Sequence, residues 1–316
     1  MAVIDVTNLA KSFDDFVAVN SISFHAEEGE VLAVLGPNGA GKTTTVEILE
    51  GYLDRTSGDV KVLGMDPANG GVELRRRIGI VLQECGAEPY LSVAEVLRMH
   101  AGFYPAPRDV DEVIALVGLD EKAGSRVKTL SGGQQRRLDV ALGLIGDPEL
   151  LFLDEPTTGF DPTARRQAWE IVKNLRDLGK TVLLTTHYMD EAQALADRVI
   201  VLAAGEIVAE GTPDSIGGRA DAAATITFDL PQGAAAGDLP VAFDAVTDGQ
   251  VTIATVQPTA VLARLTSWAV DRGGPDGGEL PHLSVHQPSL EDVYLALTAA
   301  APEGNRTATG DERNPR

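Results

Sequence analysis

The chain of 316 residues contains a single cysteine, Cys85. A lone cysteine excludes an intramolecular disulfide and is typical of proteins that work in a reducing compartment. The sequence also has no apolar run approaching the roughly 18 residues of a membrane-spanning helix, and no basic start followed by an apolar stretch. We therefore expect a cytoplasmic chain that does not itself cross a membrane.

Basic residues are scarce: 26 lysines and arginines are set against 47 aspartates and glutamates, for a formal net charge of −21. This excess repels nucleic-acid phosphates and the anionic inner leaflet of a membrane. We therefore expect neither as a direct partner, although such a charge also simply favours solubility. The 44% of hydrophobic and 23% of charged residues are typical of a folded globular protein.

Short β-branched runs alternate with turns or helical patterns at residues 3–7, 31–35, 60–63, 78–82, 150–153, 181–186 and 198–202. This alternation predicts an α/β fold with a substantial parallel sheet. Strand signals disappear between residues 86 and 148, where capping and periodicity predict helices at Ser92–Glu95, 109–117 and 132–145. We predict one domain over residues 1–215, with a helical subdomain inserted at about 86–148.

The composition changes after Asp214, where residues 215–222 are rich in glycine and alanine. Beyond this stretch, strands are predicted near 223–229, 241–245, 250–256 and 281–286, with a helix over about 258–272 and another capped by Ser289 with Asp292. We predict a small α+β accessory domain over residues 220–300 and a disordered tail over 301–316.

A phosphate-binding pattern follows the apolar run Val31–Leu35: residues Gly36–Thr43 match GxxxxGK[ST], and a helical pattern comes next. Glycines let backbone N–H groups point inward, and the N-terminal end of the helix attracts phosphate. We predict that Lys42 reaches the β- and γ-phosphates of a nucleotide and that Thr43 ligates Mg²⁺. The other predicted cradle residues are Gly36, Pro37, Asn38, Gly39, Ala40, Gly41 and Thr44. A plain glycine turn before an ordinary helix is the alternative.

A second apolar run, Leu150–Leu153, ends in two carboxylates at the predicted carboxyl edge of the sheet. We predict that Asp154 holds Mg²⁺ through its water shell and that Glu155 polarises a water in line with the γ-phosphorus. The acidic pair could instead be a solvated strand end or a helix cap. His187 follows the run Thr181–Thr186, and we expect it at the same edge, although a lone histidine is more often a surface or core-edge residue.

The pentapeptide Leu130–Gln134 reads Leu-Ser-Gly-Gly-Gln and, with the motifs above, resembles the signature of the ATP-binding-cassette (ABC) ATPases. The resemblance covers residues 3 to about 215. It implies a P-loop NTPase fold with a RecA-like sheet core, and it implies ATP hydrolysis. By the same resemblance Gln83 is the Q-loop glutamine, with roles in catalysis and Mg²⁺ binding, Asp161 is the D-loop aspartate and His187 is the switch histidine.

The adenine-stacking position of the family is occupied by Phe13, where tyrosine is more usual, and Phe16 is a possible substitute. A further departure is Phe160, where the family commonly has leucine. Both changes conserve the physical type of the side chain.

The signature itself predicts a second anion site, because Ser131 caps a helix whose first amides are left open by glycines. In the ABC family, the signature of one subunit closes over ATP held by the phosphate loop of the other. The resemblance therefore implies a head-to-tail dimer with ATP and Mg²⁺ as cofactors. The residues implied to contact ATP in trans are Ser131, Gly132, Gly133, Gln134 and Asp161.

The branch of the family is narrowed by two features. No long heptad pattern lies between Lys42 and Ser131, and the chain holds one cassette, unlike chromosome-maintenance and translation-factor relatives. The segment Pro288–Thr298 is similar to the closing helix of bacterial drug-exporter ATPases, the daunorubicin-resistance group among them.

This similarity implies export of a drug, antibiotic or lipid-like molecule through a separate permease. Transporter ATPases of the ABC family receive the permease at the helical subdomain after Gln83, so the family resemblance implies docking near Glu84–Met99 and a place on the inner face of the membrane. A soluble ATP switch that remodels a protein partner, such as a metallocluster-assembly ATPase, is the alternative. The substrate, the direction of transport and the choice between homodimer and heterodimer stay open.

Overall fold

The structure is a computed structural model that describes residues 2–81, 86–273 and 278–300. Gln83, Cys85 and the predicted tail at 301–316 lie outside the described residues. The chain divides into two compact units, Met1–Pro213 with Ala296–Arg316, and Asp214–Leu295. None of the helices in the described ranges combines the length and the apolar character that spanning a bilayer requires.

Two sheets organise the first unit. In chain order, its strands are β1 (Ala2–Phe13), β2 (Phe16–Glu27), β3 (Val31–Leu35), β4 (Ser57–Val62), β5 (Ile78–Val81), β6 (Leu150–Asp154), β7 (Thr181–Thr186), β8 (Arg198–Ala203) and β9 (Glu206–Gly211). A six-stranded sheet has the order β5-β6-β7-β3-β8-β9, parallel except for β9. The central strands β3, β6 and β7 are buried on both faces, which explains their continuous apolar sequences.

The other sheet is three-stranded and antiparallel, in the order β2-β1-β4. The predicted strands at 3–7 and 60–63 therefore belong to a separate sheet and not to the parallel one. Strand β2 was not predicted. It alternates buried and exposed residues along much of its length, as expected for a strand with one face on the core, and so has no continuous apolar run.

The described residues between β3 and β8 form seven α-helices: α1 (Lys42–Leu49), α2 (Pro67–Arg77), α3 (Val93–Ala101), α4 (Val110–Leu116), α5 (Gly132–Leu144), α6 (Pro162–Asp177) and α7 (Met189–Leu195). Among the described residues between β5 and β6, only helices, turns and an isolated bridge occur. Gly79 of β5 brings α5 close to the sheet, because a Cβ there would lie 2.2 Å from the Gly143 carbonyl oxygen. This contact fixes α5 against the strand beside β6.

A shared hydrophobic core joins the two sheets of the first unit. Ile4 and Leu9 of β1 and Phe152 of β6 are fully buried in it. Burial of such side chains is worth about 1.5–3 kcal/mol each and fixes the parallel sheet, whose carboxyl edge carries the site described below.

The described part of the second unit contains an antiparallel sheet, the helix α8 and the first part of the helix α9, whose residues from Ala296 on fall in the first unit. The elements are β10 (Ala224–Asp229), β11 (Ala245–Thr247), β12 (Gln250–Thr255), α8 (Pro258–Gly273), β13 (Ser284–His286) and α9 (Leu290–Ala300). The strand order is β11-β12-β10-β13, and Leu265 of α8 packs with Phe228 and Ile253 in its core. The strand predicted at 241–245 is wrong for 241–244, which are irregular. Likewise, 281–283 precede the last strand as a turn.

Candidate functional site

The phosphate loop lies between β3 and α1, and two of its glycines are required by close backbone approach. A Cβ on Gly36 would lie 2.5 Å from the Leu202 carbonyl oxygen, and one on Gly41 would lie 2.5 Å from that of Ala18. Gly41 also has a φ of 99°, which side chains rarely tolerate. The loop can therefore wind only with glycine at these positions, and the helix α1 begins directly after it.

Lys42 is almost fully buried, at 5% exposure, and spans the loop. Its Nζ donates to the carbonyl oxygens of Gly36, at 2.8 Å, and Pro37, at 3.3 Å. The same nitrogen lies 3.6 Å from Glu155 Oε1. Burial lowers the pKa of the Lys42 ammonium, and the negative charges of Glu155 and Asp154 oppose this shift. A positive charge is thus held at the centre of the loop.

The two carboxylates at the end of β6 have different surroundings. Asp154 accepts a hydrogen bond from the Thr185 hydroxyl of the neighbouring strand β7. Glu155 adopts a left-handed backbone with φ 44°, and its N–H donates to the Thr185 carbonyl oxygen at 3.1 Å. Such a backbone costs a non-glycine residue on the order of 1–3 kcal/mol and persists only when neighbouring contacts impose it. Strand β6 ends at Asp154, and the chain turns away from the strand at Glu155.

His187 follows β7 and faces Glu155 directly. Its Nδ1 lies 3.3 Å from Glu155 Oε1 but makes no hydrogen bond of regular geometry. Thr158 Oγ1 donates to Glu155 Oε2 at 3.0 Å. Burial raises the pKa of Glu155, but His187, Thr158 and Lys42 together hold it below its ordinary value. Lys42, Glu155 and His187 therefore meet at one edge of the sheet, with Glu155 as a carboxylate.

Glu155 borders two cavities. One, of about 420 Å³, lies beside the phosphate loop and is lined by Phe16, Ala18, Asn38, Gly39, Gly41, Lys42, Thr43, Thr44 and Glu155. The other, of about 600 Å³, is lined by Gly132, Gly133, Gln135, Arg136, Asp139, Glu155, Thr158, Gly159, Phe160, Asp161 and Ala164. Within one chain the phosphate loop and the signature glycines thus open onto different cavities.

The signature residues form the capped start of α5. Gln134 N donates to Ser131 Oγ at 3.3 Å, and Ser131 N donates to Gln134 Oε1 at 3.0 Å, which completes a capping box. The first-turn Gly132 and Gly133 carry no side chain beyond Cα to shield the helix N-terminus. Asp161 caps α6 from one side only, accepting from Thr163 N at 2.8 Å and from Ala164 N at 2.9 Å.

The two aromatic candidates for adenine stacking lie differently. Phe16 borders the cleft of the phosphate loop, whereas Phe13 does not line it and instead has Lys11 Nζ 4.7 Å from its ring centroid. The Q-loop candidate Gln83 lies outside the described residues.

Sequence reasoning missed residues that hold the carboxylates in place. Thr185 bonds both Asp154 and Glu155, and its only sequence signal is a hydroxyl one residue from the end of a buried strand. Glu50, at the end of α1, is 6% exposed, and burial together with the charges of Asp154 and Glu47 raises its pKa to about 8. No local pattern marks it, because its surroundings come from distant segments.

The fold and the site define a P-loop ATPase with an inserted helical segment. Comparison with known families agrees: the description "ABC transporter" matches residues 19–158, and "ABC transporter domain-containing protein-like, C-terminal domain" matches residues 224–289. Nod factor export ATP-binding protein I of Burkholderia orbicola (strain AU 1054) is 37% identical over 307 residues, covering 94% of this chain and 97% of the relative. The chain belongs to the ABC transporter ATP-binding family, whose members hydrolyse ATP.

Further relatives agree with this assignment. The protein of the same name from Bradyrhizobium diazoefficiens is 43% identical over 218 residues, covering 67% of this chain and 71% of the relative. Among solved structures, cbiO1 from Clostridium perfringens, part of the ABC transporter complex cbiONQ, has a TM-score of 0.63 and 29% identity, covering 68% of this chain and 90% of its own. A dimeric cassette in a post-hydrolysis state, bound to ADP and Pi, has a TM-score of 0.59 and 25% identity, covering 66% of this chain and 98% of its own.

Proposed function

We propose that this chain is the ATPase subunit of an exporter and drives a small molecule through a separate membrane permease. The proposal is supported by relatives named for Nod factor export that align with 94% of the chain. The similarity of the α9 segment to drug-exporter ATPases favours the same direction of transport. The specific cargo, whether drug, antibiotic or lipid-like, is set by the permease, and the chain acts at the inner membrane face through it.

ATP binding is proposed to use the cleft beside the phosphate loop. Lys42 and the amides of Gly36–Thr44 hold the phosphates, and Phe16 or Phe13 stacks on the base. The hard oxygens of Thr43 and Asp154, with Gln83, suit Mg²⁺, which supplies charge neutralisation at the phosphates. These assignments agree with the positive charge of Lys42 at the loop and with the acidic end of β6 facing it.

Hydrolysis is proposed to depend on Glu155. A carboxylate with a lowered pKa is ready to accept a hydrogen bond from the attacking water at neutral pH, and His187 faces the same group. The observation that carries the proposal is the position of Glu155 on both cavities. In a head-to-tail dimer, Ser131, Gly132, Gly133, Gln134 and Asp161 of one subunit complete the ATP site of the other.

The first test replaces Glu155 by glutamine, which keeps the shape and removes the base. We expect kcat for ATP to fall by about 10²–10⁴-fold. Light scattering should show an ATP-dependent dimer that the wild type forms only transiently. Glu149→Gln is the matched control, since Glu149 precedes the same strand and pairs with Arg77 away from the site. Wild-type turnover by Glu155→Gln would contradict the assignment.

The transport step is tested separately, by co-purifying the chain with the membrane protein encoded beside it and measuring ATP-driven uptake into inverted vesicles. Uptake that disappears with Glu155→Gln supports export. Purification with a water-soluble partner alone, and no uptake, would favour the protein-remodelling alternative.

A further inference from the structure

A buried arginine joins the signature helix to the chain around Glu155, directly after β6. Arg136 lies one turn into α5 and is 7% exposed. Its Nε donates to the Pro156 carbonyl oxygen at 3.1 Å, and Nη2 donates to the Asp154 carbonyl oxygen at 3.0 Å. The guanidinium therefore binds the backbone on both sides of Glu155.

These two bonds act on the strained part of the chain. The Asp154 carbonyl belongs to the peptide that sets φ of Glu155, and the N–H of that same peptide is held by Thr185. The ring of Pro156 fixes the next φ, and Arg136 then holds the following carbonyl. With φ at 44°, Glu155 depends on such contacts, and Arg136 supplies two of them from another element.

The charge of Arg136 is not needed simply to pack α5. Burying a guanidinium and a carboxylate is costly, and well-packed apolar residues are often as stable. Asp139, also buried, lies 4.0 Å from Arg136 Nη1 on the same helix. The planar fork of arginine holds Nε and Nη2 at fixed positions that match two separate acceptors, whereas a lysine offers a single nitrogen on a flexible stem.

We propose that Arg136 is a positioning residue: it fixes the carboxylate of Glu155 for hydrolysis and ties that carboxylate to the signature helix of its own chain. The proposal rests on the proposed function, in which Glu155 is the base and the start of α5 meets ATP of the other subunit. Closure of α5 on that ATP then bears directly on the catalytic group of the first site.

The test is Arg136→Lys in the full chain. We expect kcat to fall about 10- to 100-fold, because a misplacement near 1 Å has costs of this size, while KM for ATP stays within about twofold. In the Glu155→Gln background, Arg136→Lys should leave the ATP-dependent dimer intact. Arg137→Lys is the matched control, since Arg137 donates to the Gly118 carbonyl oxygen at 2.8 Å, away from Glu155, and its kcat should stay near wild type.

Each outcome either supports or overturns the positioning role of Arg136. Unchanged kcat in Arg136→Lys overturns the proposal, and so does an equal loss in Arg137→Lys or a parallel loss of dimerisation, since either would show a general packing role. If Arg136→Lys fails to fold, Asp139→Asn carries the same kinetic test, with a severalfold loss of kcat expected and wild-type kcat as the contrary result. Full turnover by Glu155→Gln would instead refute the proposed function, so the two failures are distinguishable.

Discussion

The pKa values of individual glutamates in this chain shift in opposite directions, because their surroundings differ. Glu155 has a cation and two polar partners facing it, and its pKa is lowered despite burial. Burial dominates at Glu191, whose pKa is raised although its Oε1 accepts from Trp169 Nε1 at 3.2 Å. At Glu50, burial and then the negative charges of Asp154 and Glu47 raise the pKa to about 8. Burial and the neighbouring groups, not the residue type, decide in which direction the pKa of each carboxyl group shifts.

Glu50 gives a pH prediction. Its folded-state pKa lies above the ordinary 4.5, so its neutral form stabilises the folded chain below that pH, and this contribution is lost as pH rises to about 8. The glutamine of Glu50→Gln is always neutral. The free energy of unfolding of this variant should therefore not show the wild-type decrease of up to about 1.4 kcal/mol per pH unit. Urea unfolding of the nucleotide-free, Mg²⁺-free protein at pH 5 to 8 measures it.

Glu73→Gln, an exposed change on α2, is the control and should follow the wild-type pH profile. Parallel profiles for Glu50→Gln and wild type would show that Glu50 titrates normally.

The residues of the site differ in how far sequence could reveal them. The meeting of Lys42, Asp154 and Glu155 at one edge of the sheet could be predicted, because their positions follow from a contiguous pattern of glycines or a run of apolar residues. Thr185 and Arg136 could not, since each acts on β6 from a segment distant in sequence. Spacing along the chain carries no information on which side chain of one element will reach the carbonyl groups of another.

At the scale of elements, continuous apolar runs predicted the buried parallel strands well, and β3 and β7 have the predicted bounds. Strands with one solvent-facing side were harder. Strand β2 alternates and was missed, and β9 is a half-exposed edge strand that was also missed. Residues 241–243 have apolar side chains but form no ladder. Sheet membership depends on pairing partners, which short runs do not specify.

Two helices in the first unit carry equivalent capping boxes, which allows a matched comparison. Ser131 pairs with Gln134 at the start of α5, and Ser92 pairs with Glu95 at the start of α3. Replacing either serine by alanine should lower the free energy of unfolding by about 1 kcal/mol. Only Ser131→Ala should also weaken the ATP-dependent dimer, since of these two helices only α5 is proposed to face nucleotide.

Chemical denaturation and light scattering in the Glu155→Gln background measure the two effects. Equal loss of dimerisation in both serine variants would remove Ser131 from the proposed interface.

At the scale of the whole molecule, each unit has its own hydrophobic core, with Phe152 buried in the first and Phe228 in the second. All described residues proposed to bind ATP lie in the first unit. Ligand binding stabilises only the structure that binds it, in proportion to ligand concentration over Kd.

Calorimetry of Glu155→Gln should therefore resolve two unfolding transitions, of which Mg²⁺ and ATP raise only one. ADP at the same concentration serves as the comparison ligand. A single transition that moves as a whole with ATP would show that the two units unfold as one cooperative block.

The left-handed backbone of Glu155 has a consequence for the durability of the protein. Glycine adopts this conformation without steric penalty, so replacing Glu155 by glycine would relieve the backbone strain but remove the carboxylate. Because Glu155 is the proposed base, a chain selected only for thermal stability would be expected to lose ATP hydrolysis at this position. A glutamate at a position whose backbone suits glycine therefore gives up some stability of the fold in favour of the proposed activity.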